Sequence, residues 1–186
     1  MSELAAETAR SFGLCHDEVE PIRQGAELHD VGKMAVPDAI LNKPSPLEDA
    51  EWEFIRRHTL IGERIINAAP ALHRVAALVR SSHEKYDGSG YPDRLAGNEI
   101  PLGSRVISVC EAYDAMTTTR PYRQAMSDAD AVAELRRSAG TQFDPEVVER
   151  FCRSLELRRT GSRFGSRPGA PSERIPRSPA PATAGG

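Results

Sequence analysis

Aromatic residues make up only 5% of this 186-residue chain, with a single Trp, four Tyr and five Phe. Its core must therefore be built from Ala, Val, Leu and Ile, and a chain of this length can bury one of real size. Long apolar runs are missing as well. The longest spans residues 75–79, far short of the ~20 needed to cross a bilayer, so no membrane association is expected. Met1-Ser2-Glu3-Leu4 carries no basic stretch followed by an apolar one, so no secretory leader is expected. Cysteines are few and odd in number, and Cys15, Cys110 and Cys152 lie far apart among apolar neighbours. That pattern excludes a disulfide framework and a zinc knuckle, and it predicts buried thiols in a reducing cytoplasm. Sustained period-two alternation and internal repeats are absent too.

What is present is helix after helix. Val19, Ile22, Ala26, His29 and Lys33 share one helical face, and Leu72, Val75, Ala76, Val79 and His83 form a second stripe. Val106, Val109, Cys110 and Tyr113 form another, and Asp144-Pro145 caps a last helix with Val148, Phe151, Cys152 and Leu155 inward. Ser45-Pro46-Leu47-Glu48 has the form of a capping box opening the helix of Trp52 and Ile55. The fold class is all-α. One Gly- and Pro-dense segment, from Lys85-Tyr86-Asp87-Gly88-Ser89-Gly90-Tyr91-Pro92 to Ile100-Pro101-Leu102-Gly103, reads as a structured loop between core helices.

Charge divides the chain. Residues 158–186 hold six Arg against one Glu, with five Pro, five Gly and four Ser. This segment at +5 leaves −8 of the overall −3 for residues 1–157. The expected boundary is therefore 157/158, with a disordered basic tail beyond it. An acidic body excludes nonspecific DNA binding as its main function.

Several ionisable residues sit where a helical core should be. They are His29-Asp30, His58, His83-Glu84, and Glu111 with Asp114 one turn later. Imidazoles and carboxylates without thiolates suit iron, manganese, zinc or similar divalent ions. Taken singly, each is better explained as a hydrogen-bonded core residue. His16 and His73 have no companions and are expected at the surface or in packing.

The motifs in order are more specific than any single residue. His29-Asp30-Val31-Gly32-Lys33, His58, and His83-Glu84-Lys85-Tyr86-Asp87-Gly88-Ser89-Gly90-Tyr91-Pro92 resemble the HD-GYP domain of the HD phosphohydrolase superfamily. Tyr113-Asp114-Ala115-Met116-Thr117, Arg120-Pro121-Tyr122-Arg123 and Gln142-Phe143-Asp144-Pro145 agree with it. The resemblance implies an HD-type helical bundle over residues 1–157 and hydrolysis of the bacterial messenger cyclic di-GMP to a linear dinucleotide or GMP. It implies His29, Asp30, His58, His83 and Glu111 as ligands of two divalent metals, iron or manganese, with Asp30 and Lys33 catalytic. Lys33, Gly90, Tyr91, Pro92, Arg120 and Arg123 are implied as substrate-binding residues, and a diguanylate cyclase or another signalling protein as a partner in the cytoplasm.

Three departures from the family pattern stand out. Ser2-Glu3-Leu4 begins where the family's first ligand-bearing helix is ending, so one Glu and one His are expected to be missing and the chain reads as clipped upstream. Ser82 stands where the family has the first of two paired histidines, and Glu111 where it has Asp. Arg123 replaces a usual lysine. The alternative expectation is thus a catalytically impaired module acting by dinucleotide binding or protein–protein interaction.

Overall fold

A computed structural model describes residues 1–119 and 124–164, with side chains to residue 159 in the last helix. The described residues are helical and contain no strand, as the period-3.6 stripes require; one isolated bridge joins Ala139 and Phe143. The helices are α1 (Ser2–Arg10), α2 (His16–Leu28), α3 (Asp38–Leu41), α4 (Asp49–Arg56), α5 (His58–Asn67), α6 (His73–Arg80), α7 (Leu102–Thr117), α8 (Asp128–Arg137) and α9 (Pro145–Phe164). Short 3-10 turns cover Val31–Ala35, Pro70–Leu72 and Gly97–Glu99.

Two apolar clusters organise them. The larger joins α1, α2, α7, α8 and α9 through Ala5, Ala9, Val19, Ile22, Val106, Ile107, Leu135, Val148 and Phe151, all buried. Tyr113 meets Phe151 edge to face at 5.1 Å. The smaller cluster joins α5 and α6 through Ile66, Val75, Ala76 and Val79, with Leu28 and Val31 packed against it. α2 thus reaches both clusters, and its C-terminal end is carried to the seam between them.

Polar contacts fix the helix ends. Asp144 accepts the Glu146 amide at 2.8 Å, capping α9 as the sequence implies, and it also receives Arg105 of α7 at 2.5 Å in a buried ion pair. α4 differs from expectation. It starts at Asp49, with the Glu48 amide donating to the Glu51 carboxylate at 2.8 Å, so Ser45 is three residues too early. The Ser45-Pro46 signal is local, whereas the Glu48/Glu51 pair is also held by Lys43, 2.6 Å from Glu51.

Two other expectations are corrected. α9 continues to Phe164, past the boundary drawn at residue 157, because nothing in Arg158-Arg159-Thr160 breaks a helix. Arg158 pairs with Glu7 at 2.5 Å and Arg159 with Asp128 at 2.9 Å, so the basic side chains tie this turn to α1 and α8. The expected disordered tail otherwise lies outside the described residues. Cys110 and Cys152 are buried, but Cys15 is exposed. It is the N-cap of α2, its amide donating to Glu18 at 2.9 Å, a position that faces water by geometry. No helix of the described residues is long and apolar enough to cross a membrane.

One glycine controls how close the two halves come. A Cβ on Gly32 would lie 1.9 Å from the His58 carbonyl oxygen and 2.7 Å from the Gly62 amide nitrogen. The 3-10 turn after α2 therefore crosses directly over the first turn of α5. Gly32→Ala should destabilise the protein by ~1–3 kcal/mol or more through forced separation of these backbones. Chemical denaturation measures it, and a loss under ~0.5 kcal/mol, the scatter of neutral surface changes, would show the crossing to be slack.

Candidate metal centre

The Gly32 crossing sets Asp30 against His58. α2 ends at Leu28, so His29 and Asp30 are not on one regular helix as their spacing suggested; His29 is the C-cap and Asp30 (φ −96°, ψ 1°) opens the 3-10 turn. Leaving the helix lets both side chains face the same seam. His58 opens α5, His83 lies three residues beyond α6, and Glu111 projects from the middle of α7.

These elements converge. Asp30, His58 and His83 each offer a ligand atom, all within 4.8 Å of one another. Asp30 Oδ1 is 3.8 Å from His58 Nε2 and 3.5 Å from His29 Nε2, and His29 Nε2 is 3.8 Å from Glu111 Oε1. The five residues named from the sequence as ligands therefore share one site. Ligand atoms bound tetrahedrally to one ion at ~2.0–2.2 Å lie ~3.3–3.6 Å apart, so the three would close by up to about 1.5 Å on binding one.

Hydrogen bonding sets the imidazoles. His58 Nδ1 meets the Ile55 carbonyl at 2.5 Å and His29 Nδ1 meets the Ala26 carbonyl at 2.9 Å. A carbonyl can only accept, so each Nδ1 carries a hydrogen and each Nε2 is the atom turned toward Asp30. Burial, reinforced by the nearby imidazoles of His58 and His29, pushes the His83 pKa down to about 3, and burial also lowers that of His58. For Asp30 burial acts to raise the pKa, but the Lys33 hydrogen bond at 2.7 Å and the neighbouring His29, Lys33 and His58 outweigh it and the net shift is down. At neutral pH the cluster is thus two neutral imidazoles and a carboxylate, the protonation states that metal ligation requires.

Asp30 Oδ1, His58 Nε2 and His83 Nε2 are all buried without a hydrogen-bond partner. Each such atom costs ~1–3 kcal/mol when unsatisfied, and three of them meeting at one point fit a divalent cation with nitrogen and oxygen ligands. Ser82 does not join them: its buried hydroxyl donates to the Val79 carbonyl at 2.9 Å. His16 and His73 lie exposed and apart, as expected.

Beside the cluster stands the loop after α6. The Tyr91 ring stacks on His83 at 5.2 Å with a 9° interplanar angle, and His83 meets His58 edge to face at 4.9 Å. Tyr91 precedes a cis peptide bond to Pro92. A Cβ on Gly90 would lie 2.2 Å from the Lys85 amide nitrogen, so only glycine lets the loop fold this tightly. Two residues with no assigned role hold it down. Glu84 accepts the Asp93 amide at 2.7 Å, and Arg80 grips both Asp93 carboxylate oxygens at 2.7 Å while reaching Glu63 at 2.6 Å. Glu84 belongs to a visible motif, but Arg80 gave no signal, because its partners lie 13 and 17 residues away. Arg120 and Arg123 lie outside the described residues.

An all-helical bundle thus gathers two histidines and an aspartate whose bare ligand atoms fit a divalent ion. The HD domain family profile matches residues 1–147, and the chain belongs to that family, in its HD-GYP branch. It is 40% identical over 155 residues to the cyclic di-GMP phosphodiesterase response regulator RpfG of Xanthomonas campestris, covering 82% of this chain and 41% of that protein. It is 38% identical over 143 residues to the 3'3'-cGAMP-specific phosphodiesterase 2 of Vibrio cholerae, covering 76% and 27%. A solved cyclic GMP-AMP phosphodiesterase from V. cholerae superposes with a TM-score of 0.70 at 18% identity, over 89% of this chain and 45% of that one. The chain thus spans less than half the length of each.

A metal filling this cluster should stabilise the fold by RT ln(1 + [M]/Kd), ~2.7 kcal/mol at a hundredfold excess over Kd. Scanning calorimetry with added Mn²⁺ should show Tm rising by about 5–10 °C for a chain of this size. Asp30→Asn with His83→Ala should abolish the rise. An equal rise in that double variant would place the stabilising ion elsewhere.

Proposed function

We propose that this chain is the catalytic part of a phosphodiesterase that hydrolyses cyclic di-GMP, in the cytoplasm, to a linear dinucleotide or GMP. The observation that carries the proposal is the meeting of three unsatisfied ligand atoms, from Asp30, His58 and His83, within 4.8 Å. Asp30, His58 and His83 would hold one ion, and His29 with Glu111, 3.8 Å apart, would supply ligands for a second. The nitrogen and oxygen donor set suits iron or manganese. When bound, such ions activate water and offset charge on the phosphoryl group.

The chain's own residues do the rest. Hydrogen bonds from Nδ1 to backbone carbonyls keep the His29 and His58 rings turned inward. Lys33, held at 2.7 Å by Asp30, places an ammonium group beside the position of a scissile phosphate, where it would oppose the anionic charge that repels a nucleophile. Tyr91 walls the site by stacking on His83, and burial keeps its phenol protonated by raising the pKa to about 12. Arg120 and Arg123 would add positive charge for the dinucleotide. The similarity to enzymes named for cyclic di-GMP and for 3'3'-cGAMP supports a cyclic dinucleotide as the substrate class.

One observation favours a second reading. The buried Ser82 hydroxyl is committed to the Val79 carbonyl, so this position contributes no ligand to the cluster. With fewer ligands, the chain would bind the dinucleotide, or a signalling partner such as a diguanylate cyclase, without turning it over.

Protein loaded with Mn²⁺ or Fe²⁺ should linearise cyclic di-GMP. The His29→Ala, Asp30→Ala double variant should lose at least ~10³-fold in kcat/KM, about 4 kcal/mol of transition-state stabilisation. Wild-type turnover no greater than that variant's, together with dinucleotide affinity that survives chelation, would replace catalysis with the binding reading.

A further inference from the structure

None of the eight residues of α4 is buried, and the helix leaves two large apolar side chains in water, Trp52 at 44% and Phe54 at 50% exposure. Its charges fall into two groups. Glu51 meets Lys43 at 2.6 Å, Glu48, just before the helix, meets the same ammonium at 3.6 Å, and Arg57, just after it, meets Glu53 at 3.2 Å. Asp49 and Arg56 are left over. Both are exposed, and among the described residues neither has an oppositely charged group within ion-pair distance.

The leftover charges flank the indole. Asp49, Trp52 and Arg56 are spaced three and then four residues apart, so they lie along one stripe of the helix, with an acid first, an aromatic in the middle and a cation last. Such a stripe is complementary to itself turned end for end. When two α4 helices pair antiparallel about a two-fold axis, each Asp49 faces the second copy's Arg56. The midpoint between positions 49 and 56 falls about half a residue from Trp52, so the two indoles meet across the axis with an offset of only ~1.5 Å. A parallel pairing would set Asp49 on Asp49 and Arg56 on Arg56, and repulsion of like charges disfavours it. The Arg56 guanidinium rests 5.8 Å from the Tyr91 ring centre, a contact that orients it without using its N–H donors.

We propose that the Asp49–Trp52–Arg56 stripe of α4 is the contact surface of a symmetric dimer, its partner a second copy of this chain. Such a dimer forms whether or not the chain turns over a dinucleotide. Two turns of helix per copy make a small interface, so the association is transient and half complete near ~100 µM. Arg56 also lines a groove of about 620 Å³ beside Tyr91, together with Arg57, Lys85 and Arg94, so the second copy would border that groove.

Sedimentation velocity of the full chain between ~5 and ~500 µM should show monomer passing into dimer. Emission from Trp52, the chain's single tryptophan, should move to shorter wavelength over the same range as the indole leaves water. Asp49→Arg or Arg56→Asp alone sets like charges face to face and should raise the midpoint about tenfold or more, whereas the two together should restore it to within about threefold. Trp52→Ala should weaken the dimer as the single charge changes do. Calorimetry of each variant confirms that it is folded. A chain that stays monomeric at ~500 µM would overturn the dimer. So would a dimer that survives the single charge changes, or one that the double change fails to restore.

Discussion

The close crossing of the turn after α2 over the first turn of α5 is the constraint on which the site depends. Only a residue without a side chain at position 32 permits it, since a Cβ there would overlap the His58 carbonyl. The crossing puts Asp30 Oδ1 and His58 Nε2 3.8 Å apart and seals both from water. Burying unsatisfied polar atoms is costly, and the fold repeats this cost at His83 Nε2 in the same spot.

The rest of the molecule is arranged to keep that cluster rigid. The larger apolar core anchors α2 and α7, which deliver His29 and Glu111, and the smaller core anchors α5 and α6, which deliver His58 and His83. The loop is fastened by Arg80 and Glu84 to the end of α6, so Tyr91 packs flat on His83. Positioning and chemistry therefore share elements: the peptide segment that closes one wall of the cluster also presents Lys85 and Arg94 to the neighbouring groove. Arg56, Arg57, Lys85 and Arg94 line that groove, although residues 1–157 are acidic as a whole.

Much of this was legible in the sequence because it is periodic or motif-like. The stripes through Val19, Val75, Val106 and Val148 gave helices whose inward residues are buried in both cores. His29, Asp30, His58, His83 and Glu111 were named as ligands and occupy one site, because their motifs recur in a family and not because spacing alone predicts convergence. What escaped depends on tertiary contact. α1 and α8 are short and rich in Ala and charge, so no stripe marks them, although Ala5, Ala9, Ala131 and Leu135 are fully buried. The start of α4 is set by Lys43 and Glu51, the end of α9 by Arg158 and Arg159 reaching other helices, and the exposure of Cys15 by its place at a helix cap. The stack of Arg56 on Tyr91 joins α4 to the His83–Pro92 segment and leaves no trace in either sequence alone.

The central claim is that the cluster's bare nitrogen and oxygen atoms exist to hold a divalent ion. Elemental analysis of the purified protein tests it most directly. The account predicts about one or two equivalents of iron or manganese per chain in the wild type, and less than about a tenth of an equivalent once Asp30, His58 and His83 are all replaced by alanine. Wild-type protein that carries no transition metal, even after reconstitution and desalting, would contradict it.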